Sequence, residues 1–373
     1  MSQSLIKPIE MTSIRHVCDD INMEELKNKI NIDVFDYKSL FRYVTVKSQK
    51  IDDVKDKIVS LSKKLFASRF EKENLILTYG SRTPIHSCFL MLRHLKIGCI
   101  NPEYESYIKI SKIMGLDMVV IADVLNGDDL YEKLENADID AFFFSNPNNP
   151  SNIFFDNERI VDICHRKNIW LLVDEVCISN LVSDNFDKSI GKYVKDIENS
   201  KVVVTNSLSK SYGFLGLHMG WCFTSKKYVN VITKCDAVTV GGPTAITYEM
   251  FENFLDDKLW TQYMIEFVKH TFIKQNYLTK ELEPFGFKVN HRLDITGSIF
   301  FNISSLPHPL NNPLVLAEAL ACRGLLICDG SGYFWSGENH PYVRITCTVT
   351  EKEVVRAVEI IKEVVLAANA FSQ

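Results

Sequence analysis

The chain has 373 residues, 46% of them hydrophobic, and a formal net charge of −5. That length and apolar content suit a large core shared between two lobes, while the slightly acidic balance excludes the concentrated basic face of a nucleic-acid binder. No uncharged apolar run reaches spanning length, so no membrane partner is expected.

In chain order, residues 1–48 mix polar and aromatic residues without periodicity and read as an N-terminal arm, either reaching a partner or the other lobe or fraying as a free terminus. The opening MSQSLIKPIEMTSIRHV lacks the continuous apolar stretch of a secretion signal, and a cytoplasmic protein is expected. The ten cysteines form no CxxC pair or metal-like cluster; they read as reduced and mostly buried, and no metal is expected. From Ile51 to Phe70, the apolar Val54, Ile58, Leu61, Leu65 and Phe66 keep helical spacing. Leu75-Ile76-Leu77 is a short strand running into Tyr79-Gly80-Ser81-Arg82-Thr83, after which Pro84 opens a helix with Ile85, Cys88, Phe89 and Leu92 on its apolar face. Gly80, Ser81 and Arg82 at a strand-to-helix turn make an anion site, because free backbone N–H groups and the positive dipole end point the same way. Plain capping by Ser81 or Thr83 is the competing reading.

Strands at Met118–Ile121 and Asp140–Phe144 alternate with helical segments, the pattern of a parallel sheet covered on both faces. Ligands of such sheets gather beyond the carboxyl ends of the strands. Three consecutive apolar runs end there in polar clusters: Phe142-Phe143-Phe144 before Ser145-Asn146-Pro147-Asn148-Asn149-Pro150, Trp170-Leu171-Leu172-Val173 before Asp174-Glu175, and Val202-Val203-Val204 before Thr205-Asn206-Ser207 and Lys210. A lysine framed by Ser207, Ser209 and Ser211 just past such a run reads as reactive, and lysine chemistry with carbonyls runs through a Schiff base.

The ordered set NPNNPS, DE after a strand, then SLSKSYG and GLHMGW resembles the fold-type I, class I/II aminotransferase family of pyridoxal-phosphate enzymes, from Tyr79 to Trp221 with weaker support to Arg344. The resemblance implies an aspartate-aminotransferase-like α/β fold and pyridoxal 5'-phosphate held as a Schiff base by Lys210. It implies that Asp174 pairs with the ring nitrogen, Asn149 bonds the ring hydroxyl, and Tyr104 stacks on the ring. Ser207, Gly80, Ser81 and Arg82 would hold the phosphate, and Arg344 would clamp a substrate carboxylate. Two departures stand out. His218 occupies the place of a phosphate-binding arginine, so Arg82 is expected to supply the permanent charge; Cys177 stands where many members have a tyrosine on the ring hydroxyl, and a thiol is a weaker donor.

Residues 49–245 are expected to form the large cofactor-binding domain, 246–285 an interdomain helix, and 286–373 a small α/β domain. The small domain would hold strands at Phe287–Val289, Ser298–Ile303, Leu325–Cys328 and Tyr342–Cys347, a helix from Pro313 to Cys322, and a capping box of Thr350 with Glu353 before a terminal helix. The resemblance implies a transferase moving an amino group between an amino acid and a 2-oxo acid, in a homodimer with shared active sites. Its alternative is elimination or cyclisation of an amino acid, as in capreomycidine-synthase-like enzymes acting on arginine derivatives in specialised metabolism. A regulatory homologue would need an attached DNA-binding module, which the short N-terminal region with its acidic balance is not expected to provide, and a nicotinamide-dependent dehydrogenase would need a GxGxxG after a strand, which these 373 residues lack.

Overall fold

The structure, a computed structural model, describes residues 8–12, 48–178, 189–211, 214–245, 247–248, 251, 257–289 and 297–371. After strand β1 (Ile9–Glu10) and helix α1 (Ser48–Phe66), seven strands build the main sheet: β2 (Leu75–Tyr79), β3 (Lys96–Asn101), β4 (Asp117–Asp123), β5 (Ala141–Ser145), β6 (Trp170–Asp174), β7 (Val202–Ser207) and β8 (Met219–Thr224). Helices α2 (Arg82–Met91), α3 (Glu105–Met114), α4 (Leu130–Asn136), α5 (Asn157–Arg166), α6 (Leu208–Ser211) and α7 (Lys226–Thr239) accompany them. Across the sheet the order is β2-β8-β7-β6-β5-β3-β4, and only β8 runs against its neighbours. Strands β5, β6 and β7 are buried along their whole length, as their unbroken apolar runs require when both faces are covered. Alternate side chains serve opposite cores: Phe142, Phe144, Leu171 and Val173 on one face, Phe143, Trp170 and Leu172 on the other.

Two expectations need correcting here. The first helix stops at Phe66, four residues before Phe70, because Ala67 takes a left-handed conformation (φ 49°) and the Ser68 N–H closes back onto the Ser62 carbonyl. Strand β3 is an addition to the expected strands: its short run is broken by Gly98, which a strand tolerates here because a Cβ would lie 2.6 Å from Ile139 and 2.9 Å from Ile121.

Helix α8 (Asp257–Leu282) leads to a second unit of β9 (Lys288–Val289), β10 (Ser298–Asn302), α9 (Pro313–Ala321), β11 (Leu325–Leu326), β12 (Cys328–Asp329), β13 (Tyr342–Thr346) and α10 (Glu351–Phe371). Its antiparallel sheet has the order β12-β13-β10-β9. The strand expected at Leu325–Cys328 is two short strands, and β11 pairs in parallel with β1, so this piece of the N-terminal arm lies on its own chain. The remainder of the arm falls outside the described residues. The capping box forms as expected: the Thr350 N–H donates to the Glu353 carboxylate and the Glu353 N–H to the Thr350 hydroxyl. Among the described residues no helix is long and apolar enough to cross a membrane.

Candidate active site

The register of the main sheet explains why three polar clusters meet. Ser145 pairs with Asp174, and Asp174 with Thr205, so the carboxyl ends of β5, β6 and β7 form one polar row at the edge of an otherwise apolar sheet. One turn of helix past Ser207 sets Lys210 over that row. The row floors a cavity of about 530 Å³. Every residue assigned a site role from sequence lines it: Gly80, Ser81 and Arg82 from the β2–α2 turn, Tyr104, Asn149, Asp174 and Cys177, then Ser207, Lys210 and His218, and Arg344 from the second unit.

The β2–α2 turn owes its shape to two glycines. Gly80 has φ 77°, and a Cβ on Gly220 would fall 2.2 Å from the Gly80 carbonyl carbon, so β8 passes directly beneath the turn. Ser81 occupies the cap position of α2, makes no side-chain capping bond, and lines the cavity together with Arg82 and Thr83 of the first turn. Arg82 is exposed at this helix start, and its positive charge is felt by Asp174, His86 and Lys210 alike. His218 takes a left-handed conformation (φ 48°) and stacks on Tyr79 at 5.1 Å.

Asp174 is 3% exposed at the end of β6, so its carboxyl is not a solvated surface group. Its Oδ2 accepts from the Tyr107 hydroxyl, and its Oδ1 from the Val176 N–H at 2.9 Å and the Thr205 hydroxyl at 3.4 Å. Burial pushes its carboxyl up to about 6, with those hydrogen bonds and Arg82 pulling the other way. Lys210 is shifted downward, chiefly because burial penalises its charge and further because Arg344 and Arg82 repel it, while Cys177 opposes the shift. The Cys177 thiol is itself raised to about 11 by burial and remains protonated.

Arg344 lies on β13 between β12 and β10, not on an edge strand, and is 6% exposed. Its Nε donates to the Ser298 hydroxyl at 3.2 Å and one terminal nitrogen to the Tyr333 hydroxyl at 3.1 Å, which fixes the plane of the guanidinium. Asn149 presents a buried Oδ1 that has no partner. His86, another lining residue, has a buried Nε2 without a partner; burial and then Arg82 lower it to about 4, so its imidazole is neutral.

Three contributors lie outside the sequence-based expectations. Tyr107 sits one helical turn beyond Tyr104, and that spacing on the first turn of α3 is the available signal. Tyr333 and Ser298 carry none, because their contact with Arg344 depends on how the small sheet folds.

A model of the family described as aminotransferase class I and II matches residues 31–361. The histidinol-phosphate aminotransferase of Clostridium novyi is 27% identical over 200 residues, and this match spans only about half of either protein, 52% of each. The aspartate aminotransferase of Pyrococcus horikoshii is 22% identical over 328 residues, 84% of this chain and 81% of that one. Among solved structures, Thermus thermophilus aspartate aminotransferase with maleate superposes with a TM-score of 0.79 at 16% identity, covering 96% of this chain and 92% of that one. That likeness shows the fold, an aspartate-aminotransferase-like α/β architecture with a mostly parallel large sheet.

Proposed function

The chain belongs to the class I and II aminotransferase family, whose members depend on pyridoxal 5'-phosphate, and from that premise we propose that it moves an amino group between an amino acid and a 2-oxo acid. The observation that carries this reading is the convergence on one cavity of a desolvated lysine, a buried carboxylate and a buried arginine. The cavity suits the cofactor: the Asn149 Oδ1 lacks a partner, the Ser81 hydroxyl is left out of capping, and Asp174 has no paired cation among the described residues.

In this reading Lys210 would hold the cofactor covalently, Asp174 would pair with its ring nitrogen, Asn149 would bond its ring hydroxyl and Tyr104 would stack on the ring. Gly80, Ser81, Arg82, Ser207 and His218, all lining the cavity, would hold its phosphate. When bound, the cofactor supplies the electron sink for the carbon that bears the amino group. Arg344 binds the substrate carboxylate and so fixes where that carbon lies. Once the incoming amino group has displaced it, Lys210 would be a free amine, its downward shift leaving it neutral more readily, and would take the proton from that carbon and later return one. Cys177, its thiol raised to about 11 by burial, remains protonated in the cavity wall. The test is incubation of the cofactor-loaded protein with a panel of amino acids and a 2-oxo acid; paired appearance of a new amino acid and a new oxo acid supports the reading, whereas ammonia release without transfer would overturn it.

Two expected outcomes attach to the cavity walls. Arg344→Lys keeps the charge but loses the planar fork, and the KM for the amino donor is expected to rise about 30-fold or more with a smaller change in kcat; an unchanged KM would remove Arg344 from substrate binding. Arg82→Ala is expected to weaken cofactor binding by about 10- to 100-fold and His218→Ala by much less, because only the arginine is permanently charged at the helix start. The reverse order in equilibrium titrations of the two apo-variants would show that the imidazole carries the phosphate.

The same reading makes the protein a homodimer, supported by the exposed Val238 (83%) and Val240 (51%) at the end of α7, next to the loop from Gly241; a monomer in sedimentation velocity would count against it. A cytoplasmic setting is supported by the nine free cysteines among the described residues, six of them buried.

A further inference from the structure

We propose that Glu103 is a positioning residue of this cavity, a buried carboxyl that holds Tyr104 and Asn149 in place without itself lining the site. This rests on the reading above, in which those two residues meet the cofactor. The Glu103 side chain is wholly buried at the junction of β3 and α3. Its Oε1 accepts from the Tyr104 N–H at 2.6 Å and from the Ser145 hydroxyl at 2.5 Å, and its Oε2 from the Ser145 N–H at 2.8 Å. The Ser145 oxygen in turn accepts from the Asn149 N–H at 2.9 Å. The Glu103 N–H donates to the Tyr333 carbonyl at 2.8 Å, and the Tyr333 hydroxyl is the acceptor that steadies Arg344. One residue therefore ties together the wall at Tyr104, the loop at Asn149 and the segment behind Arg344.

The donors specify a carboxyl group. Three hydrogens converge on two oxygens, and a glutamine would have to turn an NH₂ group toward one of these donors. A group placed only for packing would be apolar, since burial raises this carboxyl to about 8 against the pull of its own hydrogen bonds. Its fixed contacts at the cavity wall are what that penalty secures.

The test compares wild type, Glu103→Gln, Asn149→Ala and the double variant, each as apo-protein titrated with pyridoxal 5'-phosphate, together with the visible absorbance of the loaded forms. Glu103→Gln is expected to raise the dissociation constant about tenfold and to shift the absorbance. Combined with Asn149→Ala it is expected to add little, because Glu103 acts through the loop that Asn149 occupies. Fully additive effects, or wild-type binding by Glu103→Gln, would overturn the proposal, as would a lowered melting temperature with unchanged binding and absorbance. If Glu103→Gln does not fold, Ser145→Ala cuts the same link and is judged by the same criteria. Failure of the wild-type protein to bind the cofactor would instead overturn the functional reading.

Discussion

Lys210→Ala is expected to lower turnover by at least about 10³-fold while leaving the protein folded. The short helix that carries Lys210 is anchored by the neighbouring Leu208, which is 1% exposed. The amine sits where burial and the charges of Arg344 and Arg82 all disfavour protonation, so its loss removes a poorly solvated group and, in the proposed reading, the site's proton carrier. Lys210→Arg is expected to be nearly as inactive, since a guanidinium is never neutral near physiological pH and cannot accept the proton. Borohydride treatment of the loaded protein followed by peptide mass analysis checks the covalent role: the added mass should sit on the peptide containing Lys210 and be missing from the variant. A label on another lysine, or turnover within tenfold of wild type in Lys210→Ala, would reject the role.

Much of this site is legible in the sequence because its residues follow apolar strands directly. Val202–Val204 before Thr205, Leu171–Val173 before Asp174 and Phe142–Phe144 before Ser145 are each a buried run ending in polar residues, and a parallel register must bring such ends together. The Gly80 turn is legible for a related reason, as glycine and hydroxyl residues crowded before a helix start. What stays hidden is contact across long sequence separations. Tyr107 reaches Asp174 from 67 positions away, and Glu103 reaches Ser145 from 42, through the packing of α3 and β3 against the strand ends. Strand β3 escapes a reading by pattern because its glycine, packed closely against the Ile139 and Ile121 side chains, erases the local strand signal. Glu103 in the sequence is one more charged residue in a turn; only its burial distinguishes it.

Asp174→Asn is expected to reduce kcat by about 10²- to 10³-fold with little structural change. The amide oxygen keeps the bonds from the Val176 N–H and the Thr205 hydroxyl, and the Tyr107 hydroxyl can rotate to accept from the new NH₂ group. What disappears is the negative charge that would favour a protonated ring nitrogen. Three buried carboxyls lie close together here, and they gain their protons at different points: Asp174 is pushed up to about 6, Glu175 to about 7 and Glu103 to about 8, each mainly by burial, with the charge on Asp174 raising the other two further. As pH rises, Asp174 therefore ionises first, and the first negative charge in this region forms where the cofactor ring would need it. The sign of the pH dependence follows: a carboxylate is charged above its pKa, so binding of the cofactor by the apo-protein should weaken as pH falls through about 6. In Asp174→Asn that step should vanish, leaving weak binding across the range. Titrations of both apo-proteins between about pH 5 and 8 decide it, and an identical pH step in the variant would assign the titration to another group.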